Sequence, residues 1–358
     1  MDATYAAPMR ARAVTARSIA LLRSLLLVAS AMVAAAPPLA ATGLQQAARF
    51  ADTTPLADST ELARRLLTPL SFQRLQRYLA AHAGTMRTQP LDPAQEKFAV
   101  HVPAGAPPAE GYGLLVFVPP WPQAALPQGW TQALDRHGLI FVSAANSGNA
   151  ADVMDRRVPL ALLAWANIRG RYPLDPARVY VGGFSGGSRV ALRIALAYPD
   201  VFRGVLLEAG SDPIGEPPVS LPPADLFRRF QQDTRLVYLT GGQDEAHLRM
   251  DVTSRQSMQE WCVAGGETVA MPWRGHEIAE PAALGHALDA LARPAAADAG
   301  KLAACRARND RALSSRLAEV AATLAHGARA QLDAIDSRYG GLAAAALLEW
   351  AARLDAKP

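Results

Sequence analysis

One stretch, residues 178–193, restricts most strongly how this chain can fold. Three β-forming residues and two glycines are followed by a run with helical periodicity. The junction, Gly-Phe-Ser-Gly-Gly at 183–187, matches the pattern Gly-x-Ser-x-Gly. Small residues on both sides of Ser185 predict a strand and a helix that meet closely at a sharp, strained turn. The hydroxyl would then project from the strand end, beside a helix N-terminus that favours negative charge.

Short apolar runs alternate with helical patterns through the middle of the chain. Continuous apolar runs are typical of strands covered on both faces of a parallel sheet. The runs lie at 97–102, 114–118, 139–143, 179–181, 204–208, 235–239 and 267–271. The alternation predicts an α/β fold, a mostly parallel sheet flanked by helices. At 358 residues, half of them hydrophobic, the chain is long enough for one large domain of this kind with extensions.

The remaining segments predict a division into four parts. Residues 1–41 combine an Arg-rich stretch with an apolar run, which is typical of a signal peptide and predicts a secreted or periplasmic protein. The apolar run is short for a transmembrane helix, so we expect no stable membrane association after cleavage. Residues 42–95 are interpreted as a linker and a helical prefix, and 96–295 as the α/β domain. Residues 296–358 carry apolar residues at helical spacing and predict a helical tail.

The charge and the cysteine content narrow the expected partners. The formal net charge is +4, and the four arginines and one aspartate of residues 1–41 account for +3 of it. The remaining chain is nearly neutral, so no nucleic-acid partner is expected. Two cysteines, Cys262 and Cys305, are too few for a zinc-ribbon site, and no metal or other cofactor is expected. They could pair in an oxidising compartment or remain as two buried thiols.

A serine hydroxyl becomes a nucleophile only when a base takes its proton, and a carboxylate usually orients that base. With this turn the chain order is Ser, then Asp or Glu, then His. Asp244 follows the apolar run 235–239, and His276 follows the run 267–271. Both would lie at the carboxyl ends of strands, where side chains from separate strands converge. Ser185, Asp244 and His276 are therefore the predicted catalytic residues.

The acid has rivals, whereas the other histidines are set aside. Asp212 also follows a predicted strand and is the next candidate, with Glu245 and Asp251 after it. His247 lies too close to Asp244 in the sequence to occupy the usual place of the base. His286 falls within a predicted helix, which favours a structural role.

The negative charge formed during acyl transfer needs two N–H donors. The residue after the serine, Gly186, should provide one of them. The other should come from the loop after the run 114–118, which begins with two prolines. Because proline has no N–H, Trp121 is the first available donor and Gln123 the second.

Together these motifs resemble the α/β-hydrolase superfamily, and within it the secreted esterases of the polyhydroxybutyrate depolymerase and feruloyl esterase type. The resemblance covers about residues 96–293 and is clearest at 172–189 and 198–204. It implies the same serine, aspartate and histidine as a triad. It also implies hydrolysis of a small-molecule or polymer ester through an acyl-enzyme.

The chain departs from that family pattern at one place. Pro119, Pro120 and Trp121 stand where such enzymes usually carry His-Gly. An active esterase is the first hypothesis. A serine peptidase of the same fold, or a hydrolase-fold binding protein with weakened activity, are the alternatives. The sequence does not predict an oligomeric state.

Overall fold

The computed structural model describes residues 41–264, 266–295, 297–322 and 328–355, and it confirms the predicted α/β fold. The segment predicted as a signal peptide lies outside these residues, except for its last residue, Ala41.

One eight-stranded sheet forms the centre, in the order β1-β2-β4-β3-β5-β6-β7-β8. Its strands are β1 (Gly43–Ala48), β2 (Phe98–Val102), β3 (Tyr112–Val118), β4 (Leu139–Ala144), β5 (Leu174–Phe184), β6 (Gly204–Glu208), β7 (Arg235–Gly241) and β8 (Glu267–Met271). The first two strands run antiparallel to their neighbours, and β3 to β8 are parallel. The carboxyl ends of β5 to β8 therefore share one edge of the sheet, where ligands bind in open α/β folds.

Helices cover both faces of the sheet and form the tail. They are α1 (Ser59–Leu66), α2 (Pro69–Ala81), α3 (Thr131–Arg136), α4 (Val158–Arg171), α5 (Gly186–Ala197), α6 (Ala224–Asp233), α7 (Glu245–Glu260), α8 (Pro281–Ala292), α9 (Ala299–Ala322), α10 (Ala328–Tyr339) and α11 (Ala344–Asp355). Among the described residues, no helix combines the length and the apolar character that crossing a bilayer requires.

Alternate residues of the strands pack into two separate apolar layers, one on each face of the sheet. In β6, Val205 and Leu207 pack in the layer that includes α4 and α5. Leu206, between them, points to the opposite layer, which includes α3 and α8. This alternation is the period of two that a strand imposes, and burial on both faces explains why the strands are continuous apolar runs.

The first residues of the segment 42–95, interpreted as a linker and a helical prefix, form a strand and not a linker. Gly43–Ala48 forms β1, which pairs with β2 in an antiparallel register that places Leu44 opposite His101. Its sequence, GLQQAA, has little β propensity, so the strand depends on the free edge that β2 offers. The sheet therefore begins near residue 43 and not at residue 96.

The predicted helical tail is present and builds a second apolar cluster with α2. Leu70 of α2 packs with Leu332, Ile335 and Leu347 of the tail. A disulfide between Cys262, which follows α7, and Cys305 of α9 adds a covalent link to the α/β domain.

We expect that replacing both cysteines, Cys262→Ser with Cys305→Ser, lowers the free energy of unfolding by about 2–4 kcal/mol. The disulfide joins residues 43 apart in sequence, so it restricts the unfolded chain strongly. Urea denaturation followed by circular dichroism would measure the difference. Equal unfolding free energies, or two titratable thiols in the unfolded wild-type protein exported to an oxidising compartment, would contradict this expectation.

Candidate active site

Ser185 lies at the turn between β5 and α5 with φ 56° and ψ −122°. A side chain at such a backbone conformation costs about 1–3 kcal/mol, so close packing must hold it there. A Cβ on Gly183 would lie 2.4 Å from the backbone of Gly187, and one on Gly187 would lie 1.9 Å from the carbonyl oxygen of Val118. Only glycine fits at both positions, which is the physical reason for the Gly-x-Ser-x-Gly pattern.

The histidine predicted as the base lies within hydrogen-bond distance of the serine. Nε2 of His276, in the loop after β8, is 3.0 Å from Oγ of Ser185. The imidazole packs against Phe184, with 4.9 Å between ring centroids. Its side chain is 41% exposed, so the pair opens to solvent and a substrate can reach it.

The aspartate predicted as the acid occupies the N-cap position of α7. Its Oδ2 is 2.6 Å from Nδ1 of His276. An ionised carboxylate can only accept, so Nδ1 carries the proton and the Nε2 lone pair faces Ser185. Burial raises the pKa of Asp244, but hydrogen bonds from His247 and His276 outweigh burial and hold that pKa below its usual value. The acid therefore stays ionised at neutral pH.

The rival acids have other partners. Asp212 pairs with Arg193 at 3.4 Å. Asp251 accepts from Oγ1 of Thr240 at 2.6 Å, and Glu245 lies exposed on the surface. Among the described residues, no carboxylate other than that of Asp244 forms a hydrogen bond with the base.

His247 is a member of the site that the sequence reasoning missed. Its Nδ1 is 2.8 Å from Oδ1 of Asp244, and its ring stacks on His276 with 4.2 Å between centroids. Both carboxylate oxygens therefore have an imidazole partner. The available signal was Asp-x-x-His at a helix start, because residues three apart lie on the same face of a helix.

The cluster of one carboxylate and two imidazoles has the composition of a metal site, and its ligand atoms lie within 4.8 Å of one another. The ring planes differ by only 22°, however, so their lone pairs run side by side instead of converging on one point. Both nitrogens that face the carboxylate are already hydrogen-bonded to it. We interpret the cluster as a hydrogen-bonded network.

The first predicted oxyanion donor, Gly186, opens α5, where a backbone N–H has no intrahelical acceptor. The side chain of Asn149 lies directly against it, since a Cβ on Gly186 would be 2.2 Å from Oδ1 of that residue. No sequence pattern marks this asparagine, which comes from the loop after β4.

The second predicted donor, Trp121, lies in a loop whose carbonyl oxygens accept hydrogen bonds from neighbouring residues. Arg157 is buried and donates to the carbonyl of Pro119 at 3.0 Å, and the backbone N–H of Asn149 donates to that of Pro120 at 2.9 Å. The backbone N–H of Trp121 donates to no described residue and remains available. Its indole lies near Phe184, with 6.2 Å between centroids.

Burial lowers the pKa of Arg157 to about 10, and the nearby charges of Arg193 and Arg189 act in the same direction. Arg157 therefore stays charged at neutral pH.

The strand order, the strained serine turn and the hydrogen-bonded serine, histidine and aspartate define the α/β-hydrolase fold class. The α/β-hydrolase fold that the sequence resemblance implies is confirmed.

Comparison with known proteins gives one sequence match of note. The chain is 30% identical over 141 residues to a protein of Nocardia uniformis subsp. tsuyamanensis named "Putative esterase NocK". The match covers 36% of this chain and only 39% of that protein. No protein-family model matches.

Solved structures with a similar arrangement include several esterases and hydrolases. The ferulic acid esterase of the anaerobic fungus Anaeromyces mucronatus superposes with a TM-score of 0.41 and 14% identity, over 56% of this chain and 85% of that one. A fluorophosphonate-binding serine hydrolase of Staphylococcus aureus gives 0.42 and 12%, over 56% and 94%. Est1E of Butyrivibrio proteoclasticus gives 0.40 and 12%, over 54% and 92%.

We expect Asp244→Asn to slow the reaction of the serine with a fluorophosphonate probe by up to about 10⁴-fold, because an amide cannot hold the imidazole in the required tautomer. Asparagine still caps a helix, so α7 should remain intact. Asp212→Asn is the matched control, and it should react at nearly the wild-type rate. Time-resolved labelling of the purified proteins would measure both rates. A larger loss in Asp212→Asn would assign the acid to that residue.

Proposed function

We propose that this protein is a serine hydrolase that cleaves carboxylic esters through an acyl-enzyme. The observation that carries the proposal is the unbroken chain of hydrogen bonds from Ser185 Oγ to His276 Nε2 at 3.0 Å, and from His276 Nδ1 to Asp244 Oδ2 at 2.6 Å. Partial similarity to a protein named as an esterase supports an ester over an amide as the substrate.

In the first half-reaction Oγ of Ser185 bonds to the ester carbonyl carbon while Nε2 of His276 takes its proton. The imidazolium that forms is stabilised by the carboxylate of Asp244, which keeps its negative charge. Nε2 then returns the proton to the leaving alkoxide, the carbon–oxygen bond breaks, and the acyl group remains on the serine.

In the second half-reaction water repeats the same sequence. Nε2 of His276 takes a proton from a water molecule, whose oxygen bonds to the acyl carbon. The proton then passes to Oγ of Ser185, and the carboxylic acid leaves. The exposure of the histidine gives water access to the acyl-enzyme.

Both half-reactions place negative charge on the substrate carbonyl oxygen. We assign the N–H of Gly186 as one donor to this oxygen and the backbone N–H of Trp121 as the other. The support for Trp121 is that its N–H donates to no residue in the described part of the chain, while the carbonyls of the same loop are anchored. A donor that is fixed before the reaction needs no reorganisation during it.

The surroundings of the serine favour a substrate with an apolar or bulky part. Trp121, Phe184 and His276 form a row of rings, and Trp273, in the loop that carries the base, is 83% exposed. Aromatic rings beside an accessible serine suit a small-molecule ester or the surface of a polymer ester.

We further propose that the protein acts outside the cytoplasm. The support is the Arg-rich and apolar N-terminal segment together with the disulfide between Cys262 and Cys305, because disulfides persist in oxidising compartments. Fractionation of the producing cells, with the chain detected by antibody, would test this location.

Replacing the proposed nucleophile, Ser185→Ala, should reduce hydrolysis of p-nitrophenyl acetate and butyrate to the rate of spontaneous hydrolysis in buffer. Fluorophosphonate labelling should disappear. Ser188→Ala is the matched control, since Ser188 lies in the first turn of α5 and its hydroxyl has no hydrogen-bond partner among the described residues. The control should keep wild-type rates. Turnover retained by folded Ser185→Ala would refute the proposal.

The oxyanion assignment predicts different effects for two changes at one position. Trp121→Pro removes the N–H and should lower turnover on every ester by about 10²–10³-fold. Trp121→Ala keeps the N–H, so it should change the preference among acyl groups more than the rate on acetate. Steady-state kinetics on a series of acyl chain lengths would separate the two. Full activity in Trp121→Pro with a loss in Gln123→Pro would move the donor to Gln123.

A further inference from the structure

A buried carboxyl group lies beneath the site and has no part in the mechanism described above. Glu208 is the last residue of β6 and is 0% exposed. In the sheet it lies between Phe184 of β5 and Leu239 of β7. Fully buried glutamates are rare unless they have a partner, so this one calls for an explanation.

Glu208 contacts both halves of the catalytic site. Its backbone carbonyl accepts from the N–H of Ser185 at 2.8 Å. Its Oε1 accepts from the N–H of Ala279, three residues after His276. The carbonyl of Ala279 in turn accepts from the indole N–H of Trp130 at 2.9 Å, so this end of the loop is anchored on both sides.

The surroundings favour the neutral form of this carboxyl. Its second oxygen, Oε2, has no hydrogen-bond partner among the described residues. Burial raises the pKa of Glu208 to about 8, and the hydrogen bond from Ala279 opposes burial only in part. Glu208 is therefore mainly protonated at neutral pH.

Among the described residues, no titratable side chain of the neighbouring elements forms a hydrogen bond with this carboxyl. Those with known partners are His276, held by Asp244; Arg274, paired with Glu277 and Glu280; and Asp289 of α8, paired with His137. Tyr180 of β5 and His286 of α8 are two further titratable side chains on these elements. None of them influences the pKa of Glu208, which burial and the Ala279 amide determine.

We propose that Glu208 is a positioning residue whose buried carboxyl links the base loop, residues 272–280, to the end of β6 and so holds His276 against Ser185. The inference rests on the proposed hydrolase function. Loss of the proton to solvent would leave a negative charge that one N–H cannot compensate in an apolar site. Water must then enter, and the base loop separates from the sheet.

The sign of the pH dependence follows from the raised pKa. In the folded protein the loop is held below about pH 8 and released above it. If activity required only a neutral imidazole, the rate would not fall at alkaline pH. The proposed release of the base loop therefore predicts a fall in rate at alkaline pH that the imidazole alone would not cause. Unfolding free energy should also decrease as the pH rises from about 4.5 to about 8, since the unfolded chain gives up this proton first.

Two variants test the proposal in full-length protein. Glu208→Gln keeps an acceptor for Ala279 and cannot ionise, so its kcat at pH 7 should lie within about threefold of wild type and should not fall between pH 8 and 10. Glu208→Leu removes the acceptor, and a displaced base should lower kcat by about 10–100-fold with little change in KM. Wild-type kcat should fall by about tenfold per pH unit above the pKa.

Asp336→Asn is the matched control. Asp336 is also a buried carboxyl with a raised pKa, caused by burial, and it accepts from the N–H of Leu70 at 3.1 Å. It lies in the tail, so its replacement should leave the alkaline fall unchanged. An alkaline fall that persists in Glu208→Gln, or that disappears in Asp336→Asn, would overturn the assignment.

Hydrogen exchange of the base loop gives a second measurement that does not need turnover. Exchange protection of residues 272–280, read by mass spectrometry, should decrease above pH 8 in wild type and remain in Glu208→Gln. Equal protection in both proteins at every pH would refute the proposed link between Glu208 and the base loop, whether or not Glu208→Leu folds. A wild type that neither hydrolyses esters nor reacts with fluorophosphonate would instead refute the proposed function, and exchange would still decide the role of Glu208.

Discussion

The close contact between the backbones of β3, β5 and α5 around Ser185 is the constraint on which the rest of the structure depends. Two glycines permit this contact, and the contact in turn holds the serine at a positive φ. With Ser185 fixed at the carboxyl end of β5, the sheet determines where its hydrogen-bond partners can lie. Asp244 and His276 follow the ends of β7 and β8, two and three strands away, in loops that bring both side chains back toward Ser185.

Sequence reasoning selected those residues of the candidate site whose placement has a local cause. The glycines around Ser185, and polar residues placed after apolar runs, can be recognised because each reflects its own strand or turn. The strand at 43–48 could not be predicted, since its pairing comes from the open edge of β2 and not from its own residues. Glu208 was missed for a similar reason: a charged residue that ends an apolar run resembles a solvated strand end, and its burial depends on α8 and the base loop far along the chain.

Two carboxyl groups near the same edge of the sheet have opposite environments. Asp244 accepts from two imidazoles, which stabilise its charge more than burial opposes it. Glu208 accepts from one backbone N–H, and burial dominates. A single edge can therefore hold one carboxylate that stays charged and one carboxyl that stays neutral, as acid–base sites in other folds do. The number and charge of the donors, and not the residue type, decide between the two.

The disulfide has a consequence for how the chain would respond to a protease. Cys262 and Cys305 bracket β8, the loop that carries His276, and α8. A single cut between α8 and α9 would therefore leave two fragments that are still joined covalently, with His276 on the larger fragment. The tail would also remain packed on α2 through its apolar cluster. In a denaturing gel the nicked protein would migrate as one species without reductant and as two with it. In the folded protein the apolar cluster would still hold the tail after reduction, so its release also requires unfolding.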